Sequence, residues 1–167
     1  MDLQLKNKVV LITGGAKGIG AAITRGVARE GGVSVIVDRD ALAAEQLQSE
    51  LQQGGATSHA ITTELSVAGN CSHAVEESVR LAGRLDALVN NAGVNDRVGL
   101  ESGSPEKYVE SLQRNLLHCY NMTHYALPWL KQSQGAVVNI SSKTAITGQG
   151  GTSGYACLLY TSPSPRD

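Results

Sequence analysis

The run Thr13-Gly14-Gly15-Ala16-Lys17-Gly18-Ile19-Gly20 stands between a short aliphatic segment, Val9-Val10-Leu11-Ile12, and a stretch with helical periodicity. Glycines in such a turn let the backbone close tightly and approach an anion. The start of a helix adds unpaired N–H groups and the positive end of its dipole. The chemistry this favours is capture of a pyrophosphate by backbone amides. The spacing of Gly14, Gly18 and Gly20 is GxxxGxG rather than GxGxxG. Taken alone, the glycines also fit a purely structural turn; the strand–turn–helix setting favours the anion site. Asp38 ends a second aliphatic run, 24 residues after Gly14. A carboxylate there can accept both hydroxyl hydrogens of an adenosine ribose. It would repel a 2′-phosphate, which favours NAD over NADP. Lys17 in the turn and Arg39 beside the acid could hold a phosphate, so NADP stays open. A plain strand-end acid is the alternative reading of Asp38.

These groups need elements to position them. Val9–Ile12, Val33–Val37, His59–Thr62, Asp86–Asn90 and Gly135–Ile140 are five short runs, mostly β-branched or aliphatic and without clean alternation. That pattern suits parallel strands buried on both faces. Between them, Ile19–Glu30, Ala41–Gln53, Val67–Ala82 and Pro105 to about Lys131 carry helical spacing or strong helix formers. Ser104 and Pro105 suit the start of the longest helix. Its apolar positions Val109, Leu112, Leu116, Tyr120, Thr123, Leu127 and Leu130 step by three or four and are expected to face the core. Pro128 is expected to bend or weaken its last turn. The alternating order predicts an α/β fold, a Rossmann-type doubly wound parallel sheet with helices on both faces.

Composition narrows the class. In 167 residues, 41% are hydrophobic and 17% charged, which argues against disorder. Phe is absent and aromatics reach 4%, against modules that stack bases on surface rings. Fourteen Lys and Arg against fifteen Asp and Glu give a net charge of −1, with no basic run for a nucleic-acid backbone. Cys71, Cys119 and Cys157 form neither a zinc spacing nor a disulfide framework, and the four histidines no metal-ligand pattern. No stretch of about 18 apolar residues offers a membrane span, and the first residues lack a signal-peptide core. A soluble cytoplasmic protein in a reducing compartment is expected.

The run Thr13–Gly20, the tetrad Asn90-Asn91-Ala92-Gly93, Asn115 in the long helix, Asn139-Ile140-Ser141-Ser142 and Tyr155 occur in this order. Together they resemble the short-chain dehydrogenase/reductase family, over residues 5 to about 156. Asn95-Asp96-Arg97 and the segment from Ser142 to Tyr155 look closest to its bacterial L-fucose dehydrogenase-like members. The resemblance implies an NAD(P)-dependent oxidoreductase acting on a secondary alcohol, a sugar hydroxyl or a ketone. It implies that Asn90, Ala92 and Gly93 lie beside the cofactor ribose, and that Glu64 and Leu65 stand where the family often places Asp and an apolar residue against the adenine. By the same resemblance Ser142 bonds the substrate oxygen, Tyr155 is the acid/base, and Asn115 holds a water in the proton relay.

A free tyrosine has a pKa near ~10, too high for a base at neutral pH, and a neighbouring ammonium can lower it by ~1–3 units. In the family that ammonium is a lysine four residues after the tyrosine. Here position 159 is Leu. From Cys157 the chain departs from the family pattern, and Pro163 and Pro165 cannot continue a helix. Residues 1–156 therefore read as an incomplete dinucleotide-binding domain lacking the last strands of the family fold, and 157–167 as an unrelated, disordered tail. An inactive fragment of a homo-oligomeric parent is expected, with a non-catalytic dinucleotide-binding module as the alternative. The fifth strand is expected to be an uncovered apolar edge.

Overall fold

The computed structural model describes residues 3–147 and 150–160, with side chains to Ala156. Five strands form one sheet: β1 (Val9–Thr13), β2 (Val33–Asp38), β3 (Ser58–Thr62), β4 (Ala87–Asn90) and β5 (Ala136–Asn139). Their order is β3-β2-β1-β4-β5, and every pairing is parallel. Between them run α1 (Gly18–Arg29), α2 (Ala41–Gln53), α3 (Ala68–Ala82), α4 (Pro105–Leu112) and α5 (His118–Ser133). Two short helices, α6 (Thr144–Thr147) and α7 (Ser153–Tyr160), follow β5. This is the doubly wound α/β sheet expected from the alternation.

Side chains alternate across the sheet, so one strand feeds two cores. Leu11, Val35, Val37 and Leu88 pack with Cys71, Val75, Met122 and Ala126 from α3 and α5. Ile36 packs with Ala21, Ala44 and Leu47 from α1 and α2, and Val10 and Ile12 with Val27. Each fully buried aliphatic side chain contributes about 1.5–3 kcal/mol. That is why the strand runs carry no polar alternation.

The chain leaves β1 toward β2 and β3, then crosses back to β4 on β1's other side. Strand order thus reverses between β1 and β4, where the carboxyl ends of neighbouring strands diverge and leave a crevice. The opposite end of the sheet is fixed by Asp86. Its side chain, 6% exposed, accepts from Val9 N at 2.9 Å, from Lys8 Nζ at 3.2 Å and from both arms of Arg84 at 2.6 and 2.7 Å. Desolvation works to raise its pKa, but the bonds to Arg84, Val9 and Lys8 outweigh it and hold the carboxyl below its usual range.

Three sequence readings need correction here. The long helix is two: α4 and α5 are joined by a π-helical segment, Gln113–Leu117, centred on Asn115. Its inner face is also not the apolar stripe read from spacing. Val109, Tyr120 and Leu127 are exposed, while Ser111, Asn115, His118, Cys119, Met122, Ala126 and Leu130 are buried. The middle of this element, from Arg114 to Cys119, lines a polar crevice, so polar residues face inward there. Pro128 sits on the solvent side, and α5 continues past it to Ser133. Lastly, the stretch from Cys157, expected to lack structure, is helical to Tyr160 as the end of α7; 161–167 lie outside the described residues. Val138 on the outermost strand β5 is 47% exposed, as the uncovered-edge reading expects.

Candidate functional site

The turn from β1 into α1 is shaped by glycine. Gly14 and Gly18 have φ of +60° and +53°, a region that L side chains rarely adopt. At Gly14 a Cβ would lie 2.9 Å from Ala92 Cα, and at Gly20 only 2.0 Å from the Gly14 carbonyl oxygen. At Gly18 it would meet nothing within 4 Å. Two glycines therefore let the backbone pack, and the third borders open space. No side chain caps the start of α1. Its first-turn N–H groups, which lack intrahelical partners, are free for an anion.

A web of bonds ties this turn to β4. Thr13 Oγ1 donates to the Val89 carbonyl at 3.3 Å and accepts from Asn91 N and Ala92 N, both at 3.0 Å. Asn91 Nδ2 donates to the carbonyls of Thr13 and Gly14 at 2.9 and 3.0 Å. Asn90 Nδ2 donates to Asn139 Oδ1 at 2.8 Å and Thr123 Oγ1 at 3.1 Å. That arrangement leaves Asn90 Oδ1 buried without a partner.

Asp38, at the end of β2, accepts from Ala16 N at 3.0 Å and Asp40 N at 3.1 Å. Asp40 caps α2 by accepting from Ala43 N at 3.0 Å and pairs with Lys17. Arg39 pairs with Glu64, N to O 3.5 Å, and Glu64 also accepts from Ser66 N. Leu65 is buried in the larger core.

Asn115 is held on both sides. Its Oδ1 accepts from Val94 N at 2.6 Å and its Nδ2 donates to the Ser111 carbonyl at 3.1 Å. Ser111 Oγ donates to Asp96 at 3.0 Å. The Asn115 side-chain amide thus braces the loop after Gly93, while the Asn115 backbone carbonyl accepts from Cys119 Sγ at 3.7 Å. Ser142 Oγ accepts from Thr144 Oγ1 at 3.0 Å and Thr144 N at 3.3 Å. Tyr155 lies on α7, its pKa raised by burial and then by the nearby Asp96 charge. Burial pushes the Cys119 thiol up to about 12, so it is no nucleophile at neutral pH.

One cavity of about 660 Å³ at the switch point gathers these groups. It is lined by Gly14, Lys17, Gly18, Ile19, Gly20, Asp38, Glu64, Leu65, Asn90, Ala92, Gly93, Asn115, Ser142 and Tyr155, every site residue read from the sequence. Leu159 follows Tyr155 by one helical turn of backbone. The cavity also takes in residues that sequence reasoning passed over: Asn91, Arg114, His118 and Asn139. Asn91 and Asn139 were visible as motif neighbours; His118 carried no signal beyond its type. Among the described residues, no group of three or more His, Cys, Asp or Glu is placed to hold a metal ion, and no helix is long and apolar enough to cross a membrane.

Fold and crevice together define a Rossmann-like α/β domain with a polar cleft at its topological switch point. The chain belongs to the short-chain dehydrogenase family, whose pattern it matches over residues 8–157. It is 36% identical over 150 residues to the L-fucose dehydrogenase of Bos taurus, covering 89% of this chain and 54% of that protein. It is 36% identical over 141 residues to the "Probable galactose dehydrogenase GalD" of Rhizobium meliloti (strain 1021), covering 83% and 55%. The crystal structure of the Cj0485 dehydrogenase superposes with a TM-score of 0.87 at 41% identity, covering 96% of this chain and 61% of that one. The chain spans about half the length of the curated relatives it matches.

Proposed function

We propose that the chain carries the dinucleotide-binding portion of an NAD(P)-dependent oxidoreductase that acts on a secondary alcohol, a sugar hydroxyl or the corresponding ketone. The observation that carries this reading is the glycine turn at the switch point: an uncapped helix start, Gly18 against open space, and Asp38 on the neighbouring strand end. An orphaned acceptor, Asn90 Oδ1, adds an unmet polar group in a residue that lines the cleft. These residues fit a dinucleotide. The amides of the turn would take its pyrophosphate, Asp38 its adenosine ribose, Glu64 and Leu65 its adenine, and Asn90, Ala92 and Gly93 its second ribose. The bound nicotinamide supplies a site that accepts or gives a hydride.

NAD is the favoured form, because Asp38 disfavours a phosphate beside it. Ser142 would hold the substrate oxygen and Tyr155 would exchange its proton. Asn115, with its amide already engaged, would serve the relay through its position between the loop after Gly93 and the π-helical segment. The sugar dehydrogenases among its relatives support a polyol substrate class. The free, buried Cys71 and Cys119 suit a reducing, cytoplasmic setting. The exposed apolar side chains on α4 and α5, Val109, Tyr120 and Trp129, support a homo-oligomeric whole protein.

A second reading, a dinucleotide-binding module without turnover, is favoured by one specific observation: the group one turn after Tyr155 is Leu159, and the Tyr155 pKa is raised rather than lowered. One experiment on the purified chain tests both readings. Isothermal titration with NADH is expected to show binding, and NADH absorbance with L-fucose and a panel of secondary alcohols is expected to show no turnover. Robust turnover would refute the second reading, and absence of binding in a folded sample would refute both.

A further inference from the structure

Two cations and three carboxylates crowd the rim of the cleft where β2 and β3 end. Lys17, Asp38, Arg39, Asp40 and Glu64 all line the same cavity. Lys17 and Arg39 are the groups that could bind a phosphate there, yet each is already engaged. Lys17 donates to Asp40, and Arg39 lies 3.5 Å from Glu64. Each carboxylate is in turn held by backbone amides, Asp40 by Ala43 N as the cap of α2 and Glu64 by Ser66 N. Both are therefore fixed partners toward which the long basic side chains fold, and not stray surface acids.

We infer that Asp40 and Glu64 are specificity-determining counter-ions: they hold Lys17 and Arg39 in ion pairs and keep a latent 2′-phosphate site closed. This deepens the dinucleotide reading and rests on it. Asp38 disfavours a 2′-phosphate directly, while Asp40 and Glu64 act by occupying the cations that would offset that repulsion. The pairs are open to solvent, with side-chain exposures of 67% and 39% for Lys17–Asp40 and 68% and 49% for Arg39–Glu64. Exposed pairs of this kind are weak. The site is thus closed by a small margin, and neutralising one carboxylate should open it measurably.

The test is separate isothermal titration with NADH and with NADPH, on the whole chain and on Asp40→Asn. Asn caps a helix as well as Asp does, so the substitution removes the charge and keeps the cap. The NADPH to NADH affinity ratio is expected to rise about fivefold, the upper range for one exposed pair. The gain should shrink as salt is raised from 0.05 to 0.5 M, and vanish in Asp40→Asn/Lys17→Gln. An unchanged ratio, or NADPH binding that stays below detection in Asp40→Asn, overturns the inference while leaving the dinucleotide reading intact. Loss of NADH binding by the unaltered chain overturns that reading itself. If Asp40→Asn does not fold, Glu64→Gln makes the same measurement through Arg39, with a rise in the ratio expected and an unchanged ratio decisive against.

Discussion

The two walls of the cleft are built differently. On the wall formed by the turn after β1 and the ends of β2 and β4, polar groups lock one another. Thr13 and Asn91 clamp the glycine turn, and Asp38 is set by two backbone amides. On the wall formed by α6 and α7, the Ser142 hydroxyl is bonded, among the described residues, to its near neighbour Thr144, and the charge that acts on Tyr155 is that of a carboxylate, Asp96. Burial and that negative charge both favour the neutral phenol. The contrast teaches that, on the proposed function, gripping a nucleotide and moving a proton would be separable properties of this fold. The first would rest on short-range bonds already in place, and the second would call on a group from one turn further along α7.

The sharpest way to break the first wall is Gly20→Ala. Its Cβ would lie 2.0 Å from the Gly14 carbonyl and 2.6 Å from Asn91 Nδ2. Forcing the backbone apart should cost about 3 kcal/mol in denaturant unfolding and abolish NADH binding. Gly18→Ala serves as its contrast. Its Cβ meets open space, so the cost should be limited to about 1 kcal/mol from the positive φ.

At the far end of the sheet, Asp86→Asn should destabilise by about 2 kcal/mol while leaving NADH affinity unchanged, because Asp86 braces the sheet without lining the cleft. The sign of its pH dependence follows from a lowered folded-state pKa. Its stabilisation is present above about pH 4 and is lost as pH falls through the folded value. Acid unfolding followed by circular dichroism should show that loss in the unaltered chain and lose it in the variant.

The second wall is sharpened by Leu159→Lys. An ammonium one turn from Tyr155 should lower the phenol pKa by about one unit, read from the shift of a ring-labelled Tyr155 against Tyr155→Phe. An unmoved resonance would mean that α7 does not bring position 159 to the ring.

The smallest effect belongs to His118. Burial holds its pKa below the ordinary value, against the backbone carbonyls of Ala92 and Arg114 and the charge of Glu64. The neutral ring is therefore favoured in the folded state. Stability should be full above about pH 6.5 and fall as pH drops from there toward the folded value. His118→Gln should flatten that slope in thermal melts between pH 5 and 7.

What could be read without coordinates follows from how far each feature reaches along the chain. The glycine turn, the strand runs and Asp38 are local: a few consecutive residues carry their own conformational logic. The inner face of α4 and α5 was not legible. Spacing picked Val109 and Tyr120, whereas the fold buries Ser111, Asn115 and His118, the last two lining the cleft. Hydrophobic periodicity finds a helix's core face only where that face meets an apolar neighbour. The π-helical segment left no compositional mark; its central Asn115 bonds Val94 in the loop after Gly93 and Ser111 one turn back along the same element. The pairing of Lys17 with Asp40 and of Arg39 with Glu64 joins residues about 23 to 25 positions apart, which the β1–β2 and β2–β3 registers bring together.

The central claim is that the amides at the start of α1 bind a pyrophosphate beside Asp38. A backbone-amide NMR titration of the chain with NADH tests it most directly. The largest shifts are expected at Gly18, Ile19 and Gly20, with smaller ones at Asp38 and Ala92 and none at Asp86. Saturable binding that leaves the Gly18–Gly20 amides unmoved, or a folded chain that shows no shift anywhere in the cleft, would contradict it.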